Sequence, residues 1–123
     1  MKKILIVDDE PLVIKAIRDK LTNAQFATDS ALDGQEALVK ISQEKPDLIL
    51  LDIVMPKLDG ISVLKKLKEQ QETRDIPVII LTNLYDDEKI QELLRTNNTE
   101  YLIKVEHSLN DIVNRVKEKL NNS

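Results

Sequence analysis

Ile4-Leu5-Ile6-Val7-Asp8-Asp9 is a run of four apolar residues that ends on two carboxylates. Leu48-Ile49-Leu50-Leu51-Asp52 repeats the arrangement, and Val78-Ile79-Ile80-Leu81-Thr82 repeats it again with a hydroxyl at the end. A run without polar alternation has no face to leave in water, so each is predicted to be a strand buried on both faces. A shorter run, Tyr101 to Ile103, ends on Lys104. Between the runs the apolar period changes to that of a helix, most clearly at Leu109, Ile112, Val113, Val116 and Leu120.

Similar stripes occur at Leu12, Val13, Ala16, Ile17 and Leu21, at Ala37, Leu38 and Ile41, at Ile61, Leu64 and Leu67, and more thinly at Ile90, Leu93 and Leu94. Five helices are therefore expected. Pro11 suits a first helical turn, Asp33 precedes Glu36 and Ser108 precedes Asp111 at capping-box spacing, and Asp86 or Asp87 can cap the fourth helix. A further strand is needed between the first two helices. Phe26-Ala27-Thr28 fills the gap, and its polar neighbours place it at a sheet edge. Strand and helix alternate five times, with no hairpin spacing. That order predicts an α/β fold, a parallel sheet covered by helices on both faces. The expected architecture is a flavodoxin-like (βα)5 three-layer sandwich, one domain over 1–123 with strand order 2-1-3-4-5.

Composition narrows the chemistry. The chain has 123 residues, 41% hydrophobic and 33% charged, which suits one soluble core. It has no Cys and a single His, His107, so thiolate zinc sites, disulfides and the usual histidine triads are excluded. Its two glycines, Gly34 and Gly60, cannot make a P-loop or a GxGxxG turn. Three aromatics (Phe26, Tyr85, Tyr101) and a net charge of -4 argue against direct nucleic-acid binding. No stretch approaches the length of a membrane span or a signal-peptide core, so a cytoplasmic location is expected. What remains is carboxylates, lysine and hydroxyls, the groups that handle hard cations and phosphoryl groups.

In an open parallel sheet, ligands bind beyond the carboxyl ends of the strands. Asp8, Asp9, Asp52, Thr82 and Lys104 all stand at such ends. With order 2-1-3-4-5, the first and third strands are neighbours, and Asp8, Asp9 and Asp52 crowd at one rim. Like charges raise one another's pKa unless a cation is shared. An oxygen-only donor set favours Mg²⁺, with Mn²⁺ the close alternative. A carboxylate there could serve as a nucleophile toward phosphorus, with Lys104 supplying a positive point charge and Thr82 a hydroxyl donor.

These stretches, ILIVDDE at Ile4 to Glu10, LLDIVMPKLDG at Leu50 to Gly60, VIILT at Val78 to Thr82 and EYLIK at Glu100 to Lys104, resemble the receiver domains of two-component response regulators. The resemblance spans essentially the whole chain and includes the stand-alone, chemotaxis-type form. It implies that Asp52 is the phosphoacceptor, and that Asp8, Asp9 and Asp52 hold Mg²⁺ with the backbone carbonyl of Val54. Lys104 would pair with the phosphoryl group, Thr82 would be the switch hydroxyl, and Tyr101 the aromatic that follows it. A sensor histidine kinase or phosphotransfer protein is the implied donor. A downstream protein is the implied target, through the face of the fourth helix, fifth strand and fifth helix (Leu84 to Leu94, Tyr101, Asp111 to Val116). The protein is expected to be a monomer, with dimerisation possible on phosphorylation, and not a turnover enzyme.

Where the family usually has proline after the lysine, this chain has Val105, and where it prefers a small residue after the threonine it has Asn83. Val54 and Leu84 are apolar, so neither can orient a hydrolytic water, and slow loss of the phosphoryl group is expected. An aspartate-nucleophile phosphatase would need a second acid where Val54 stands. A flavin domain would need a hydroxyl-rich phosphate loop and aromatic covers. The stronger rival is a receiver-like interaction module that no longer uses phosphorylation. His107 reads as an exposed helix-start residue, Lys65, Lys66 and Lys68 as a solvated face, and Met55-Pro56 with Asp59-Gly60 as the loop that presents Asp52. Because the sequence stops after its last helix, output is expected to pass through another protein.

Overall fold

Alternate residues of a strand face opposite sides of a sheet, so an uninterrupted apolar strand needs a cover on each side. The computed structural model supplies both covers. It describes residues 1–53, 59–82, 99–103 and 108–121, with Thr82, Tyr101 and Ile103 described through their backbones. Its elements are β1 (Lys3–Val7), α1 (Pro11–Asn23), β2 (Ala27–Ala31), α2 (Gly34–Gln43), β3 (Leu48–Leu51), α3 (Gly60–Glu69), β4 (Val78–Thr82), β5 (Thr99–Ile103) and α4 (Leu109–Asn121). The helix expected around Ile90 to Leu94 lies outside the described residues, so the helix expected fifth is α4 here.

The five strands are all parallel, in the order β2-β1-β3-β4-β5. This is the expected flavodoxin-like order, with the polar β2 at an edge. On one face Leu5, Val7, Ile49, Leu51, Val78 and Ile80 pack with Ala37 and Ile41 of α2 and Val63, Leu64 and Leu67 of α3. On the other, Ile4, Ile6, Leu48, Leu50, Ile79 and Leu81 pack with Ile14, Ile17 and Leu21 of α1 and Ile112, Val113 and Val116 of α4. Burying each such side chain contributes roughly 1.5–3 kcal/mol.

Caps fix where the helices start. Asp33 accepts from Glu36 N at 2.8 Å and Asp59 from Ser62 N at 2.8 Å. Ser108 and Asp111 exchange two bonds, at 3.0 and 3.1 Å. Pro11 occupies the first turn of α1, where its missing N–H costs nothing.

Three expectations are corrected. The second strand runs Ala27–Ala31, without Phe26. Phe26 instead closes α1: its N–H bonds Leu21 O at 3.0 Å while Gln25 N–H bonds Thr22 O at 3.0 Å, and Gln25 takes φ 70°. This is a Schellman stop, and Phe26 packs in the same core cluster as Leu21. The core stripe of α1 runs through Ile14, Ile17 and Leu21, whereas Leu12 is 82% exposed. Lys68 does not belong to a solvated face; it is half-buried, and its Nζ donates to Arg74 O at 2.9 Å across the end of α3.

Candidate functional site

The site grows from the register of β1 and β3. Val7 is opposite both Ala31 and Leu51, and Leu51 is opposite Ile80, so the strands end nearly level. The hydrogen-bond ladder then runs one residue further: Asp8 N donates to Ala31 O at 3.1 Å and Asp52 N to Val7 O at 2.9 Å. Asp8 and Asp52 thereby leave the sheet from neighbouring strands, whose backbones lie about 4.8 Å apart. Both are buried, at 2% and 6% exposure, which is unusual for carboxylates.

The turn into α1 is held by Asp8, whose Oδ1 accepts the Glu10 N–H at 3.0 Å. It gathers Asp8, Asp9 and Glu10 so that a carboxylate oxygen from each lies within 4.8 Å of the others, with Asp9 and Glu10 exposed. Among the described residues this is the group of acids placed closely enough to share a cation. Asp52 reaches the same rim from β3 and is not a member of it. Glu10 is the acid that sequence reasoning left without a role, although its place directly after two acids at a helix start was the available signal.

Gly60 packs against the main chain of Asp52 and Ile53. Gly60 N donates to Ile53 O at 2.9 Å. A Cβ on Gly60 would stand 2.2 Å from Asp52 O and 2.7 Å from Ile53 Cα. The first residue of α3 therefore rests directly on the Asp52 main chain, and only glycine fits. This agrees with the reading of Asp59-Gly60 as the presenting loop.

Thr82 ends β4 opposite Ile103, and Tyr101 is opposite Ile80. Lys104, the residue after Ile103, lies outside the described residues. So do Val54, Met55-Pro56, Asn83, Val105, His107 and the stretch Leu84 to Leu94.

A second charged group stands apart at the β2 edge. Lys40 Nζ pairs with Asp29 at 3.2 Å and Glu36 at 3.3 Å and bonds Ser30 O, while Lys3 pairs with Glu44 at 3.1 Å. Burial would raise the Asp29 carboxyl, but the Ser30 N–H, the Lys40 hydrogen bond and the Lys40 and Lys3 charges outweigh it and hold the group below its ordinary value. Burial would lower Lys40, yet Asp29 and Glu36 hold it above its ordinary value. These pairs tie α2 to the edge strand.

The rim suits a hard cation: every donor is oxygen, and two of the carboxylates are buried at adjacent strand ends. Mg²⁺ typically takes one or two carboxylates and keeps the remainder of its shell for water and phosphate.

Comparison with known proteins bears on the family and the fold. The family model "Response regulator receiver domain" matches residues 4–117. The alkaline phosphatase synthesis transcriptional regulatory protein PhoP of Bacillus subtilis is 43% identical over 93 residues, covering 76% of this chain and 37% of that protein. Response regulator PleD of Caulobacter vibrioides is 42% identical over 82 residues, covering 67% of this chain and 18% of that protein. The chain thus spans well under half of these curated relatives. Among solved structures, the receiver domain of the Francisella response regulator 1452 superposes with a TM-score of 0.87 at 34% identity, covering 99% of this chain and 98% of that one. Chemotaxis protein CheY4 of Vibrio cholerae gives 0.86 at 28% identity, covering 96% and 98%. With that match over nearly its full length and the strand order those structures share, the chain belongs to the response regulator receiver domain family.

Proposed function

We propose that this domain is a phosphorylation switch whose acceptor is Asp52. The observation that carries the reading is a carboxylate-bearing residue, 6% exposed, at the carboxyl end of the central strand and beside the buried Asp8 of its neighbour. The donor is a phosphohistidine on a sensor kinase or phosphotransfer protein, or a small donor such as acetyl phosphate. An Asp52 carboxylate oxygen forms the new P–O bond while the donor's bond to phosphorus breaks, its electron pair leaving with the imidazole or acetate. Asp8, Asp9 and Asp52, with the main-chain carbonyl of Val54, are the residues that would hold Mg²⁺ or Mn²⁺. When bound, such an ion neutralises charge on the transferring phosphoryl group.

In this reading Asp8 and Asp9 supply oxygen donors at the rim, and Gly60 holds the Asp52 main chain fixed against α3. Lys104 pairs with the phosphoryl oxygens. Thr82 turns its hydroxyl toward the added charge, about -1.5 to -2 for a protein phosphate, and Tyr101 follows. Output passes to a protein partner through the surface of Leu84 to Leu94, Tyr101 and Asp111 to Val116. The domain assists its own phosphorylation and dephosphorylation without being a turnover enzyme, acts in the cytoplasm, and is monomeric until phosphorylation favours a dimer. It makes no direct contact with nucleic acid, and among the described residues no helix is long and apolar enough to cross a membrane.

The test is incubation with Mg²⁺ and acetyl phosphate or phosphoramidate, followed by intact mass measurement. One added phosphoryl group, absent in Asp52→Asn, is the expected result. No adduct with any donor supports the interaction-module reading instead. Continuous phosphate release from a phosphomonoester supports a phosphatase.

A further inference from the structure

On the sheet face remote from α2 and α3, α1 and α4 pack side by side over one apolar cluster. Between the last turn of α1 and the stretch Asn110 to Lys117 of α4 they leave an open groove of about 430 Å³. Its walls carry Lys20 and Asn23 from α1, and Asn110, Asn114 and Lys117 from α4, with Ala24 and Val113 between them. No carboxylate lines it. The acids next to the two lysines are engaged elsewhere, Asp19 with Lys15 at 3.5 Å and Glu118 with Arg115 at 3.9 Å. Among the described residues, neither lysine has an ion-pair partner and none of the three amides has a side-chain hydrogen bond. Five exposed polar side chains thus line one groove without a side-chain partner among the described residues.

Their chemistry selects an occupant. Each asparagine offers an N–H₂ donor and a carbonyl acceptor, which matches the C=O and N–H of a peptide main chain. A bare phosphate accepts only, so it would use the amide N–H₂ donors and leave the three amide carbonyls without a donor. The lysines match carboxylates, and Ala24 and Val113 leave room for a small apolar side chain. No aromatic lines the groove, so a nucleobase has nothing to stack on. A second copy docked symmetrically through this groove would bring two more lysines to a surface whose lining has no carboxylate. We propose that this groove docks an acidic peptide segment of a partner protein, with carboxylates at Lys20 and Lys117 and its main chain on Asn23, Asn110 and Asn114. The groove is separate from the Asp52 rim and shares Val113 and Asn114 with the proposed output surface.

The test titrates the full chain, ¹⁵N-labelled, with a peptide of alternating Asp and Ala, with tripolyphosphate as the second arm. Expected are saturable shifts confined to the amides around Lys20, Asn23 and Asn114, and affinity about tenfold weaker in Lys20→Gln/Lys117→Gln. Asn110→Ala/Asn114→Ala, which leaves charge unchanged, is expected to weaken the peptide several-fold and tripolyphosphate not at all. The proposal is overturned if peptide shifts do not saturate, if they appear elsewhere, if the asparagine variant binds peptide as the parent does, or if tripolyphosphate binds more tightly than the peptide.

Discussion

Gly60→Ala is expected to destabilise the fold, although the general rule predicts the opposite sign. Gly60 is the first residue of α3 and has no positive φ. At an ordinary helical position, alanine is better than glycine by roughly 0.5–1 kcal/mol. Here the new methyl would stand 2.2 Å from Asp52 O, 2.7 Å from Ile53 Cα and 2.9 Å from the Asp52 carbonyl carbon. All three atoms are main chain, so no rotamer change relieves the contact; α3 or the Asp52 segment must move by about an ångström to reach ordinary van der Waals separation. Overpacking of this kind costs about 1–3 kcal/mol or more, which exceeds the propensity gain. For a chain of this size the net loss corresponds to a Tm lower by several degrees. Thermal and urea unfolding measure it, and the rate of acetyl phosphate labelling reads the displacement of Asp52 independently. An unchanged or raised Tm together with an unchanged labelling rate would refute the reasoning.

Other perturbations follow from single contacts. Gln25→Gly removes a side chain from φ 70° and is expected to stabilise by up to about 1 kcal/mol, read by urea denaturation. Ile14→Ala, in the core, is expected to cost about 2–5 kcal/mol, while Leu12→Ala, on the same helix and 82% exposed, stays within about 0.5 kcal/mol. Asp59→Ala removes the cap on Ser62 N and is expected to cost about 1 kcal/mol. For the β2–α2 pair the sign follows from its two shifts. Asp29 is depressed, so its contribution is full above the ordinary carboxylate value and is lost as pH falls through the lower native one. Lys40 is raised, so its contribution is full below the ordinary lysine value and is lost as pH rises through the higher native one. Because both partners are partly exposed, Asp29→Asn is expected to cost less than about 1 kcal/mol at neutral pH, with the difference from the parent vanishing in acid.

The central strands were legible because Ile4 to Val7, Leu48 to Leu51 and Val78 to Leu81 have no polar residue, and only a doubly covered strand explains that. The acids at their ends were legible for the same reason, as the first residues that can leave the core. The β2 edge was less so, since Thr28, Asp29 and Ser30 are half-buried and carry no apolar alternation. The Schellman stop at Gln25 lacked its usual glycine, which drew Phe26 into the strand. Leu12 was placed on the core stripe because it is apolar, but stripe phase is set by Ile14, Ile17 and Leu21. The contact of Gly60 with Asp52 is long-range backbone packing, for which a lone glycine in sequence gives position but no partner. Asp8, Asp9 and Glu10 are sequential and their grouping needed only a turn, whereas the approach of Asp52 depended on the strand order.

The most direct test of the account is a calorimetric Mg²⁺ titration of the unphosphorylated chain, with Asp8→Asn and Asp52→Asn beside it. If acids from β1 and β3 jointly hold the cation, the parent binds one Mg²⁺ and both variants lose most of that affinity. Absence of binding by the parent, or affinity retained in both variants, would contradict it.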